Sequence, residues 1–155
     1  MSALATKSSD TLNVYLIGNN PIELSSIYEK LRSIKTMTYK MEMDFDLASI
    51  FKKITQFNPA CILIDDNLEK LRLTKLVKKL SSDDKTKDIP ITIIKNSNYH
   101  DAHVDEAQEF ILKDTITPET LQRSILNSMR FKRMQVYIYR TYRKRKTQIN
   151  RLLNS

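Results

Sequence analysis

The stretch N-P-A-C-I-L-I-D-D, residues 58–66, decides the fold. Ala60–Ile64 is a short run with no polar side chain, as expected for a strand in the middle of a parallel sheet with both faces covered. It ends abruptly in Asp65-Asp66-Asn67. Working toward the N-terminus, Leu12–Ile17 reads as another buried strand, stopped by the turn signal Gly18-Asn19-Asn20. Pro21 suits the first position of a helix. Ile22, Leu24, Ile27, Tyr28 and Leu31 then follow at helical spacing, giving a helix to about Ile34. Thr38–Phe45 alternates Tyr39, Met41, Met43 and Phe45 with Lys40, Glu42 and Asp44, a period-two strand with one polar face. Asp46 is placed to cap the next helix, in which Leu47, Ile50, Phe51 and Ile54 form a stripe.

Working toward the C-terminus, Leu68, Leu71, Leu76, Val77 and Leu80 mark a third helix, and SSDDKTKD (81–88) is a solvated loop. Ile89–Ile94 reads as a further central strand with Pro90 at its start, where a missing N–H is tolerated. A loop over 96–101 and a short helix over 101–107 follow. Glu109–Lys113 is the last strand. Thr117 caps a final helix with Pro118 at its first position. No Pro or Gly follows, so nothing stops that helix before the C-terminus. Strand and helix thus alternate five times. The expected fold is α/β: a doubly wound, five-stranded parallel sheet, (βα)5, with an extended C-terminal helix. In such a sheet, sites form where loops leave the carboxyl ends of the strands, here 18–20, 65–67, 95–97 and 113–115.

Composition narrows the function. The chain has 155 residues, 41% of them hydrophobic and 28% charged, which is a globular balance. No apolar run is long enough for a membrane span, and MSALATKSSD does not read as a secretory leader. One cysteine, Cys61, excludes an internal disulfide and any multi-cysteine zinc site, and fits a reducing, cytoplasmic setting. One glycine, Gly18, excludes glycine-rich phosphate loops. The formal net charge is +8. Residues 1–119 hold 16 Lys/Arg against 18 Asp/Glu, whereas residues 120–155 hold 10 Lys/Arg and no acid. A nearly neutral body therefore carries a strongly cationic last helix.

The strand ends carry a resemblance. I-G-N-N-P-I-E-L (17–24) resembles the V-D-D-N-P-I-N-L opening of receiver domains from two-component response regulators. N-P-A-C-I-L-I-D (58–65) is similar to their P-D-L-I-L-L-D strand, I-P-I-T-I-I (89–94) to their fourth strand, and E-F-I-L-K (109–113) to their D-Y-L-x-K. The likeness spans about residues 12–130. It implies a flavodoxin-like receiver fold, with Asp65 at the phospho-acceptor position, Lys113 at the invariant-lysine position and Phe110 at the aromatic switch position. Gly18, Asn19, Asn67, Lys95 and Lys113 would line the pocket.

The chemistry departs from the family's. A working receiver needs an acidic pair after strand 1 to hold Mg²⁺, which offsets charge as the aspartate attacks a phosphoryl donor. Gly18 and Asn19 stand in that pair, and Lys95 replaces the hydroxyl residue after strand 4. Counting Asp65, Lys95 and Lys113, the pocket would carry a net +1. The expectation is a pocket without a metal or cofactor, in which Lys95 pairs with Asp65 in the cation's place. That points to an atypical receiver (a pseudo-receiver), not an enzyme, whose partner is a kinase, phosphotransfer or effector protein. One alternative is a phosphorylatable receiver using Asp65.

Three other features are weighed. His100 and His103 with Asp101 and Asp105 have metal-like spacing, but read as polar residues of an exposed loop. Cys61 lies inside an apolar strand and reads as a small core residue. Residues 1–11 read as a disordered arm, 12–130 as the receiver-like domain and 131–155 as a basic helical extension. In that extension Arg140, Arg143, Lys144, Arg145 and Lys146 are interleaved with Tyr137, Tyr139 and Tyr142. Its partner classes are a second copy, giving a homodimer, or another protein; nucleic acid, through basic residues 120–155; or an anionic membrane surface. Too few residues remain for a helix-turn-helix after the body.

Overall fold

In the computed structural model, residues 11–95, 107 and 109–154 are described. Five parallel strands form one sheet: β1 (Thr11–Ile17), β2 (Thr38–Asp44), β3 (Cys61–Asp65), β4 (Ile91–Lys95) and β5 (Glu109–Leu112). Their order is β2-β1-β3-β4-β5. The described α-helices are α1 (Pro21–Arg32), α2 (Ile50–Phe57), α3 (Lys70–Ser82) and α4 (Pro118–Leu153). Residues 1–10 of the expected arm over 1–11, residues 96–106 of the expected loop and helix over 96–107, and His100 and His103 lie outside the described residues, whereas Thr11 is not part of an arm but opens β1.

Every residue of β3 is buried, as its unbroken apolar run demands. The period-two pleat sends alternate side chains to two cores. Tyr15, Ile17, Ile62, Ile64, Ile91 and Ile93 pack against α2 and α3. Val14, Leu16, Cys61, Leu63, Ile94 and Ile111 pack against α1 and the start of α4. Cys61 is fully buried beside the Ser128 hydroxyl, 3.4 Å away, and burial pushes its thiol up to about 11, so it is a core residue and not a nucleophile.

The helix ends follow local chemistry. Asn20 caps α1, its side chain accepting from the Ile22 and Glu23 amides, with Pro21 behind it. Asn58 closes α2 in the left-handed conformation, φ 51°, and donates its amide to the Ile54 carbonyl. Thr117 and Thr120 form a reciprocal cap on α4. Three local expectations are corrected. Asp46 does not cap α2; its carboxylate accepts from the Ala48 amide in a turn before the helix starts. Ile22 lies outside the apolar face of α1 and is 81% exposed. On β2 the inward residue at the strand end is Asp44, not Phe45, because the strand stops at Asp44 and Phe45 sits on the bend beyond it. Asp44 is buried because it has partners: the Tyr15 hydroxyl donates to it at 3.0 Å and the Lys53 ammonium at 3.2 Å. Desolvation opposes its charge, but these donors and the Asp46 amide outweigh it and hold the carboxyl below its ordinary range.

Helix α4 runs 36 residues, about 54 Å. Leu121, Ile125 and Ser128 are buried on the body, whereas from Phe131 onward the large apolar side chains are more than half exposed or nearly so. Ile125→Ala is therefore expected to cost about 2–5 kcal/mol in urea unfolding, and Ile138→Ala less than about 0.5 kcal/mol, although both remove the same atoms from one helix.

Candidate functional site

The carboxyl ends of β1, β3 and β5 converge on a small charged pocket. Asp65 is the last residue of β3, paired in register beside Ile94 of β4, and is 0% exposed. Lys113 follows directly on β5, at the start of a single turn of 3-10 helix. Its ammonium lies 2.9 Å from Asp65 Oδ2 and 2.5 Å from Glu23 Oε2. The Asp65 contact is an ion pair off the line of a hydrogen bond, so Oδ2 is buried without an aligned donor. Oδ1 accepts from the Asn67 amide at 2.9 Å. The Asn67 side chain donates to Glu23 Oε2 at 2.7 Å, and the Asn19 side chain donates to the Asn67 carbonyl at 3.0 Å. Asp65, Asn67, Asn19 and Lys113 are thus brought together.

Glu23 completes this cluster, and the sequence reading did not single it out. It sits in the first turn of α1, next to the buried Leu24. The Asn20 cap and Pro21 set that turn above the strand ends, so a long carboxylate there reaches Lys113. The acid in I-G-N-N-P-I-E-L, two residues after the Pro, was the available signal.

Lys95 is not part of the cluster. Its ammonium lies over the Phe110 ring, 5.1 Å from the centroid, and among the described residues no ion pair joins it to Asp65. The expected Lys95–Asp65 pair is therefore replaced by Lys113 bridging Asp65 and Glu23. A flexible lysine at the end of β4 gains more from the ring face of the adjacent strand than from a carboxylate already in contact with an ammonium. With all groups charged, the pocket is net −1 and not +1.

Burial raises the carboxyl of Asp65 above its ordinary range, opposed by the Asn67 amide and Lys113 and assisted by the neighbouring Glu23. Glu23 moves the other way, held down chiefly by its hydrogen bond to Lys113. Desolvation lowers Lys113, but its contacts with Glu23 and Asp65 together outweigh that and hold it above the usual lysine range. Asp65 and Glu23 titrate as a pair, with the proton favoured on Asp65.

The fold family implies a divalent cation, and the residues present do not fit one. Gly18 offers no ligand, the Asn19 amide is turned to the Asn67 carbonyl, and the Lys113 ammonium lies between the two carboxylates. The space has closed as well. A Cβ placed on Gly18 would stand 3.1 Å from the Asp65 Cβ and 3.2 Å from both Leu24 methyls. Leu24 is fully buried and Asp65 is fixed in a central strand, so neither has free room to yield.

The basic residues of α4 lie elsewhere. Arg140 and Arg143, with Lys132, line a cleft of about 480 Å³ against the loop after α3, and Arg143 lies over the Tyr139 ring. Lys144, Arg145 and Lys146 are exposed further out.

No protein-family model matches the chain, and no curated protein matches it. Solved structures do. A response regulator from Desulfuromonas acetoxidans superposes with a TM-score of 0.64 at 14% identity, covering 77% of this chain and 98% of that one. The chemotaxis protein CheY4 of Vibrio cholerae gives 0.64 at 17%, covering 76% and 98%. The receiver domain of a sensor histidine kinase from Pseudomonas aeruginosa, which has a magnesium ion coordinated in its active-site cleft, gives 0.61 at 16%, covering 77% and 98%. The chain has the receiver-domain fold. The receivers are matched almost completely, so about a quarter of this chain has no counterpart in them.

Two outcomes follow for the pocket. Gly18→Ala is expected to lower stability by about 1–3 kcal/mol in urea unfolding, since the new methyl must displace Asp65 or Leu24. The second concerns pH. A raised folded-state carboxyl gives stability that is fully present below its unfolded value, about pH 4, and is lost as pH rises through the folded value. Wild type therefore loses stability over that window on account of Asp65, while the lowered Glu23 acts with opposite sign at lower pH. Asp65→Asn is expected to abolish the alkaline-going loss. Urea midpoints measured at a series of pH values check this.

Proposed function

We propose that the body is a receiver-fold regulatory module that works by protein–protein contact, without Mg²⁺-dependent phosphorylation of Asp65. The observation that carries this reading is the Lys113 ammonium held between Asp65 and Glu23. In-line phosphoryl transfer needs concentrated positive charge to offset the charge spread over the transferred oxygens, and an accessible carboxylate as nucleophile. Here the carboxylate is fully buried, burial raises it above its ordinary range, and the nearby cation is already shared with a second acid. The pocket works as an internal clamp that fixes the end of β5 to β3 and α1.

The partner belongs to the classes that receivers serve: a kinase, a phosphotransfer protein or an effector. The contact surface is the face of β4 and β5, where the half-buried Lys95 and Phe110 are stacked side by side. Changes at Lys95, Phe110 or Lys113 should alter partner choice.

The test is exposure of the protein to a small phosphodonor, acetyl phosphate or phosphoramidate, with and without Mg²⁺, followed by intact mass. The expected result is no phosphoryl adduct in either condition. An Mg²⁺-dependent adduct that disappears in Asp65→Ala would establish the other reading, a phosphorylatable receiver.

A further inference from the structure

Beyond the body, α4 is an amphipathic helix whose apolar side faces away from every described element. Of the twelve large hydrophobic side chains exposed among the described residues, nine lie between Phe131 and Leu153. Phe131, Met134, Ile138, Tyr142 and Ile149 follow at intervals of three, four, four and seven. At 100° per residue they fall within an arc of about 80°. Arg133, Arg140, Lys144 and Arg151 repeat at intervals of seven, four and seven, and lie on the opposite side. The line that docks on the body, Leu121, Ile125 and Ser128, is roughly a quarter turn from the apolar stripe. The stripe forms a shallow groove along the helix itself and leaves its side chains half exposed or more.

Charge decides the occupant. Residues 130–153 contain nine Lys/Arg and no Asp/Glu. A second copy packed helix against helix would set nine cations beside nine, at an interaxial distance of about 8–10 Å, comparable to the screening length. A nucleic acid would satisfy the cations and leave the stripe in water. Arg145 and Lys146 bear on the remaining choice. Between Tyr142 and Ile149 along the helix, Arg145 falls inside the arc of the stripe and Lys146 about 40° beyond its edge, so a packed helix of any protein would bury them in or beside its seam. A lipid surface does not. The apolar face enters the acyl boundary, while the long stems of Arg145 and Lys146 lie along it and their heads reach lipid phosphates. The tyrosines suit the same boundary, apolar in the ring and polar at the tip.

We propose that residues 131–153 form an in-plane binding element for an anionic membrane surface, which holds the receiver-fold body at that surface. No described helix is long and apolar enough to cross a membrane, so the association is peripheral.

The experiment uses the full chain with phosphatidylcholine vesicles, alone or containing phosphatidylglycerol. The expected result is binding at least about tenfold stronger to the anionic vesicles, falling as salt rises. Ile138→Ser combined with Ile149→Ser, both at exposed positions, should weaken that binding about tenfold and leave the unfolding midpoint unchanged. The sequence contains no tryptophan, so Tyr142→Trp introduces a single reporter, and its emission should shift to the blue on anionic vesicles only. Any of four results would overturn the proposal: no anionic preference, serine variants that bind as wild type does, an emission maximum that stays put, or a lipid-free dimer that the serine variants dissociate. The last would show that a second copy covers the stripe. Binding to an acidic protein without binding to vesicles would equally count against it.

Discussion

The contact on which the pocket depends is the Lys113 ammonium lodged between Asp65 and Glu23. β5 is an edge strand of four residues, joined to the sheet through β4 alone. Lys113, the residue after it, ties its end across β4 to β3 and up to the first turn of α1. Asp65 is fully buried, and desolvation alone would force a proton onto it. Removing one partner from a buried pair costs about 3–5 kcal/mol, because the remaining charge is stranded. The lysine therefore keeps Asp65 tolerable at the strand end. Glu23 shares it because Asn67 and Lys113 both donate to the same Glu23 oxygen.

That contact also gives Gly18 its meaning. In a site built to hold a divalent cation, side chains after β1 must approach the carboxylate of β3 while leaving space for the ion. Here the cation is an ammonium delivered from β5, and the backbone after β1 lies close against Asp65. A side chain at position 18 would meet the Asp65 Cβ at less than ordinary contact distance. The absence of a ligand at position 18 and the close approach beside it thus have one cause, since the glycine lets the two strand ends draw together.

Much of the fold was legible because parallel strands buried on both faces leave an unambiguous trace. ACILI and the Ile-rich β4 admit few other readings, and the spacing of Ile27 and Leu31, or of Leu76, Val77 and Leu80, places the helices over them. The errors fall where one residue decides a face. Ile22 is apolar and near the inward spacing, yet the Asn20 cap sets the helix phase and leaves it in solvent. Asp44 is charged and falls on the polar face of the alternation, yet Tyr15 and Lys53 meet it inside. The site was legible by half. Asp65 and Lys113 sit at strand ends whose positions periodicity determines. Glu23 reaches them from a helix, and nothing local says that its carboxylate bends toward a lysine ninety residues away. Lys95 failed for the converse reason: a long flexible stem can reach either a carboxylate or a ring, and only the tertiary arrangement shows that the carboxylate was already occupied.

The two charge-rich parts of the chain resolve their electrostatics in opposite ways. The body pairs its buried charges internally, Asp65 with Lys113 and Asp44 with Lys53. The outer part of α4 contains no acid of its own and so gains none of the intrahelical pairs that stabilise isolated helices. It is also rich in aromatic and β-branched residues, Tyr137, Ile138, Tyr139, Thr141 and Tyr142, which favour a helix less than Ala, Leu or Lys do. Such a segment would be marginal on its own, where nucleation is costly. It is helical here because it continues a helix already nucleated at the Thr117 cap and anchored by Leu121 and Ile125, so each further residue needs propagation only. The sequence thus combines weak intrinsic helicity with a docked root and an uncovered apolar face. Ordering of the extension and covering of that face are therefore energetically linked: whatever buries the stripe also stabilises the helix that presents it.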